Sequence, residues 1–142
     1  MSDGFTQADY RQLAEFRYLL RKFMVFSESA AAELALTPQQ HQVLLAIKGH
    51  PAGVSLTTGA LAERLCIRHH SAVGLVDRLH KKGLVRRRAN VRDRRQVLIE
   101  LTPNAERLLV RLSIKHRNEL QRLAPLLSGL LSSFEGSVPP SS

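Results

Sequence analysis

The sequence has 142 residues with one cysteine, Cys66, no tryptophan, two tyrosines and five phenylalanines. One thiol excludes an internal disulfide and suits a reducing compartment. The chain is long enough to bury a core without disulfide staples. No apolar run approaches the roughly 18 residues that a spanning helix needs. The opening MSDGFTQADYRQ lacks the basic-then-apolar pattern of a secretory signal, so a cytoplasmic protein with no membrane partner is expected. Enzyme signatures are missing too: there is no phosphate loop, no H-E-x-x-H and no nucleophile elbow. Neither catalysis nor a cofactor is expected.

Acidic residues are scarce in the middle of the chain. From Arg64 to Arg95, eleven Lys and Arg face only Asp77 and Asp93, which accounts for the whole net charge of +9; the flanks balance. Such a stretch attracts polyanions by counterion release, whatever their sequence. The plainer alternative is a solvated charged face, which the neutral flanks disfavour.

Apolar spacing predicts a helix over residues 6–33, carried by Leu13, Phe16, Leu20, Phe23 and Met24. Thr37, Pro38 and Gln40 spell a capping-box start for a second helix with Val43, Leu44 and Ile47 on its buried side. Gly49-His50-Pro51-Ala52-Gly53 ends it. Val54-Ser55-Leu56 reads as a very short strand. Thr57 caps a short helix carrying Leu61, Ala62 and Leu65. About four residues later another helix begins, with Ala72, Leu75, Val76 and Leu79 on one side; it runs to Lys82 and stops at Gly83. The period then changes to two, giving strands Leu84–Ala89 and Gln96–Leu101 around a polar loop. Thr102-Pro103 opens a leucine-rich segment that Pro125 should break or kink. The tail Gly136–Ser142 is expected to be disordered.

Two short helices followed at once by a hairpin form a helix-turn-helix with a wing, whose second helix lies in the major groove of DNA. The expected fold is mainly α with a small β-hairpin wing, and a helical dimerisation layer. With the apolar side of the second helix inward, His70, Val73, Gly74, Asp77 and Lys81 face outward, flanked by Ser71 and Arg78. Gly74 is either a place of close approach or a tolerated defect. His69, His70 and Ser71 sit at the positive end of the helix, where phosphates and base edges are within reach. The hairpin tip gathers Arg92, Asp93, Arg94 and Arg95. Arginine suits the narrow minor groove, and Asp93 is expected to pin a neighbouring arginine through a bidentate pair; the alternative is a weak surface ion pair.

Residues 56–102 resemble the MarR family of bacterial regulators. Asp93-Arg94-Arg95 leading to Leu101-Thr102 matches that family's D-x-R…L-T wing signature. Leu75-Val76-Asp77-Arg78-Leu79 with Gly83-Leu84-Val85 matches the end of its recognition helix and the start of its wing. The Leu36-Thr37 start and the flanking helices extend the similarity over nearly the whole chain. The resemblance implies that Arg95 enters the minor groove, that Asp93 orients it and that residues 69–81 read the major groove. It further implies repression relieved by a small anionic aromatic effector held between the DNA-binding lobe and the dimer layer. Two features depart from the pattern. Cys66-Ile67-Arg68 stands where a Gly and a Ser cap are common, and the final helices end near Phe134.

The expected organisation is a dimerisation helix over 1–35, a winged helix-turn-helix over 36–101, dimerisation helices over 102–135, and the tail. Leu13, Phe16, Leu20, Leu112, Leu120, Leu123, Leu127, Leu130 and Leu131 make the terminal helices too apolar to stay exposed in a monomer. A homodimer on a palindromic operator follows. Several alternatives stay open. Cys66, His69 and His70, with His80 more remote, invite a metal, but a closed tetrahedron is not evident. The plain reading is a small buried cysteine beside two DNA-facing histidines. Cys66 between Arg64 and Arg68 favours thiolate and leaves oxidant sensing open, although no second cysteine resolves it. His41, His50 and His116 read as surface or satisfied core residues. From another class, a winged-helix module could dock an acidic protein.

Overall fold

Threonine sets four of the five helix starts. In the computed structural model, which describes residues 4–51, 54 and 56–135, α1 (Gln7–Glu33) begins behind Thr6. The Thr6 hydroxyl accepts from the Asp9 amide at 3.2 Å, and the Asp9 carboxylate accepts from the Thr6 amide at 2.8 Å. That reciprocal cap was not read from the sequence, although Thr-x-x-Asp was visible. α2 (Pro38–Lys48) has the expected capping box between Thr37 and Gln40. α3 (Thr58–Leu65) starts behind Thr57, whose hydroxyl accepts from the Ala60 amide. α4 (His69–Lys81) is the exception: its N-cap, Arg68, makes no side-chain cap.

Between α3 and α4, Cys66 takes a left-handed conformation with φ 56 and ends α3. It is exposed, which corrects the expectation of a small buried cysteine. It stands one residue past α3, whose buried residues are Leu61 and Ala62. After Gly83 (φ 72) come β1 (Val85–Ala89) and β2 (Val97–Leu101), antiparallel with Arg87 opposite Ile99 and Arg86 opposite Glu100. The expected Val54–Leu56 strand shrinks to a bridge from Thr57 to Leu98 and one bond from the Ile99 amide to the Leu56 carbonyl, 3.2 Å; its Ser55 lies outside the described residues. The tail Gly136–Ser142 lies outside them as well.

The last segment is one helix, α5 (Pro103–Glu135), with Pro125 inside it. The expected break is absent, and a single helix replaces the expected plural. Proline removes one amide donor, whose helical acceptor would be the Gln121 carbonyl. Both residues are exposed, so water can satisfy the orphaned oxygen and the helix continues.

The chain divides into two compact units, Ala30–Ser113 and Met1–Ser29 with Ile114–Ser142. The first holds α2, α3, α4 and the hairpin, with the end of α1 and the start of α5. Its core joins Val43, Leu44, Leu61, Val76, Leu79 and Val85 with Ile99, Ala105 and Leu112. Leu112, expected at a subunit interface, is fully buried in this core. The second unit pairs most of α1 with most of α5. Within it His116 shares a 2.8 Å hydrogen bond with the Ser27 hydroxyl and meets the edges of Phe23 and Phe26. Leu123, also expected at the interface, is 1% exposed within the chain. Both leucines sit on the stripe of α5 turned inward, which helical spacing alone did not separate from the outward stripe.

Candidate nucleic-acid interface

α4 buries Ala72, Leu75, Val76 and Leu79 against the core, which turns the rest of the helix outward. His69, His70, Asp77, Arg78 and Lys81 are exposed, while Ser71, Val73 and Gly74 are half-buried at the edges of that face. The uncapped first turn leaves backbone amides directed out of the helix start, where an anion is favoured. The Arg78 guanidinium lies along the helix over Gly74: a Cβ there would meet its nitrogens at 3.6 and 3.7 Å. The glycine thus leaves a flat spot on which an arginine rests, a neighbour on the same helix.

Asp77 does not stand free on the outer face. Its carboxylate pairs with Arg87 of β1, linking helix and wing. Strand alternation explains the partner. Val85, Arg87 and Ala89 share the hairpin face of Val97, Ile99 and Leu101, so Arg87 projects from the same side as the buried Val85 and Ile99 and can reach Asp77, although the residue itself stays exposed. Sequence reasoning missed it, although a charge two residues after the buried Val85 was a usable signal. Arg86 and Arg88 occupy the other face and share Glu100, at 3.7 and 2.8 Å.

The wing tip is ordered by its own side chains. The Asn90 side-chain oxygen accepts from the Arg92 amide at 3.0 Å, and Asp93 Oδ1 accepts from the Arg95 amide at 3.1 Å. The same Asp93 oxygen accepts from Arg95 Nε at 3.2 Å. The expected bidentate pair is corrected here: a single oxygen serves both donors, because it must also close the turn. The Arg95 side chain stays 91% exposed, so it is oriented at its root and open at its end. Within residues 64–95, Arg64, Arg68, Arg78, Lys81, Lys82, Arg92 and Arg94 have no carboxylate partner. Uncompensated cations thus lie on the α3–α4 turn, on the outer face of α4 and at the wing tip. Cys66, His69 and His70 belong to no group of three or more potential metal ligands among the described residues.

The MarR family model matches residues 36–96, which span the second helix, the helix-turn-helix and the wing loop. Over 96 residues the chain is 33% identical to the uncharacterized HTH-type transcriptional regulator YfiV of Bacillus subtilis strain 168. Residues 36–96 belong to the MarR family. That alignment takes in 68% of this chain and 58% of YfiV, so the chain spans little more than half of that relative's length. The MarR fold extends beyond the matched segment. AbsC, a MarR family transcriptional regulator from Streptomyces coelicolor, superposes with a TM-score of 0.75 over 95% of each chain at 17% identity. A MepR mutant from S. aureus, solved bound to an oligodeoxyribonucleotide, gives 0.68 over 92% of this chain and 99% of that one at 20% identity. YfiV and AbsC are both described as transcriptional regulators. No helix among the described residues is long and apolar enough to cross a membrane.

Proposed function

We propose that this chain is a MarR family transcriptional regulator that binds duplex DNA sequence-specifically as a homodimer on a palindromic operator, in the cytoplasm. The observation that carries the reading is the placement of uncompensated cations on the outer face of α4 and at a turn-ordered wing tip, in a chain whose remainder is electrically neutral. His69, His70, Ser71, Val73, Gly74, Arg78 and Lys81 form the major-groove surface, and Arg92, Arg94 and Arg95 the minor-groove surface. Asp93 orients Arg95, while Asp77 acts by holding Arg87. The exposed apolar stripe of α1 and α5, including Leu13, Leu20, Leu120 and Leu131, supports a second copy as partner, with Phe16, Leu127 and Leu130 half-covered beside it. Repression relieved by a small anionic aromatic effector is the regulatory part of the proposal, carried by the family resemblance. Salicylate-like compounds at millimolar concentration should weaken operator binding, and unchanged affinity would remove that part.

Fluorescence anisotropy against a duplex selected by the protein from a random library, beside a scrambled duplex, tests the main reading. A preference of roughly a thousandfold or more is expected, with a steep salt dependence. Arg95→Ala should weaken binding by about 1–3 kcal/mol, and Asp93→Ala by less. Equal binding of both duplexes would leave only nonspecific contact with the backbone, and binding of neither would end the DNA reading.

A further inference from the structure

Within residues 64–95 the cations either pair with a carboxylate or stand free to meet a polyanion, and Lys82 does neither. The Lys82 ammonium donates to the Ala35 carbonyl at 2.6 Å and to Oε1 of Gln40 at 3.0 Å, reaching back 47 and 42 residues along the chain. Ala35 closes the end of α1 in a left-handed conformation, φ 59. Its carbonyl lies at the negative end of that helix, where a cation is favoured. Gln40 is 4% exposed, and the same oxygen that takes the lysine also accepts from the Thr37 amide in the α2 capping box, at 3.1 Å. Lys82 is in turn the C-cap of α4, its amide donating to the Arg78 carbonyl at 3.1 Å. One ammonium therefore ties three helix ends: the end of α1, the start of α2 and the end of α4. Hydrogen bonds from a charged donor are the strong class. Lys81, one residue earlier and about 100° around the helix, makes no such tie, although both lysines are exposed.

We infer that Lys82 is a positioning residue for DNA recognition: it holds the last turn of α4 against the α1–α2 joint and does not itself contact phosphate. The inference rests on the DNA-binding reading above. Two properties separate a tie from a phosphate contact. Loss of a phosphate contact lowers the salt dependence of binding by about one counterion. Loss of a tie lowers affinity with the salt dependence intact, and loosens the free protein where the tie was made.

The experiment compares wild type, Lys82→Met, Lys82→Arg and Lys81→Met. Each is titrated in KCl against the duplex selected by the wild-type protein, and hydrogen exchange is measured on the free proteins. Lys82→Met is expected to lose affinity on the order of tenfold with an unchanged salt slope. Its amides near residues 35–37 and 82–84 should exchange faster. Lys82→Arg, which keeps charged donors, should recover part of both effects, and Lys81→Met should lower the salt slope and leave exchange unchanged. A lowered slope in Lys82→Met with unchanged exchange would make Lys82 a phosphate contact and overturn the proposal. Wild-type behaviour of Lys82→Met in both measurements would overturn it as well. If the wild-type protein selects no duplex, the DNA-binding reading fails and takes the recognition role with it. That failure is distinguishable, because exchange still reports on the tie.

Discussion

The two compact units treat their apolar residues in opposite ways. In the unit Ala30–Ser113 the helices and hairpin close over a shared core from Ala30 to Leu112, and large apolar side chains are left exposed mainly at its margins, such as Val91 at the wing tip. In the other unit only Leu19 and Leu123 are buried apolar residues among those described, while Tyr10, Leu13, Leu20, Met24, Val25, Leu120, Leu126 and Leu131 stay exposed. The first unit satisfies itself, and the second carries an apolar face that a single chain leaves in water. Burial at about 25 cal/mol per Å² is the driving force available to a partner there. The contrast separates folding, a property of one chain, from assembly, a property of two.

The largest expected effect attacks the self-sufficient unit. Leu79 is fully buried, and Leu79→Ala should cost about 2–5 kcal/mol of stability, read by urea denaturation. A loss below about 1 kcal/mol would mean that this core is looser than its burial suggests. Next comes the open unit. Leu20→Asp should convert a dimer into a monomer in sedimentation while the far-ultraviolet dichroism is retained. A wild-type protein that sediments as a monomer at micromolar concentration would break the contrast itself. A smaller change is expected from Asp77→Asn, which releases Arg87 from α4. Exposed pairs contribute about 0–1 kcal/mol, so thermal stability should hardly move, and a large drop would make this pair part of the core.

The smallest effect concerns pH. Hydrogen bonding and charge from Arg122 hold the Glu119 carboxyl below its ordinary value. A lowered folded-state value stabilises above the ordinary carboxylate range and loses that contribution as pH falls through the folded value. Glu119→Gln should therefore lower the melting temperature slightly at neutral pH, leave it unchanged in acid where the carboxyl is already protonated, and so flatten the acid dependence of melting. A shift of the melting temperature in acid, where the pair's contribution is already lost, would point to a role beyond the pair.

Helix starts, the hairpin and the burial pattern of α4 were legible because each depends on residues a few positions apart. Thr37 with Gln40, and Ala72 with Leu75, Val76 and Leu79, carry their geometry in their spacing. What escaped were contacts over long separations or choices among equivalent leucines. Lys82 reads as one more cation in a basic run, and only the fold brings it to Ala35. Asp77 reads as a surface residue of a recognition helix until strand alternation turns Arg87 toward it. Leu112 and Leu123 share a repeat with Leu120 and Leu131, and period alone does not say which stripe is turned inward. At Pro125 the outcome of a strong local rule was decided by exposure: the helix is not broken, because the carbonyl left without a donor is open to water.

The neck of the hairpin has a consequence for variation. The Thr102 hydroxyl donates to the Gly83 carbonyl at 2.7 Å, and the Thr102 amide to the Leu84 carbonyl at 3.0 Å. The two ends of the wing are thereby clipped together at its base, where the chain enters and leaves. Loop closure grows more unfavourable only slowly with length, so residues added between Asn90 and Gln96 change the reach of the tip with little strain at the neck. The wing is in that sense an interchangeable head: it can be lengthened, shortened or exchanged for another sequence while the scaffold that presents it stays as it is.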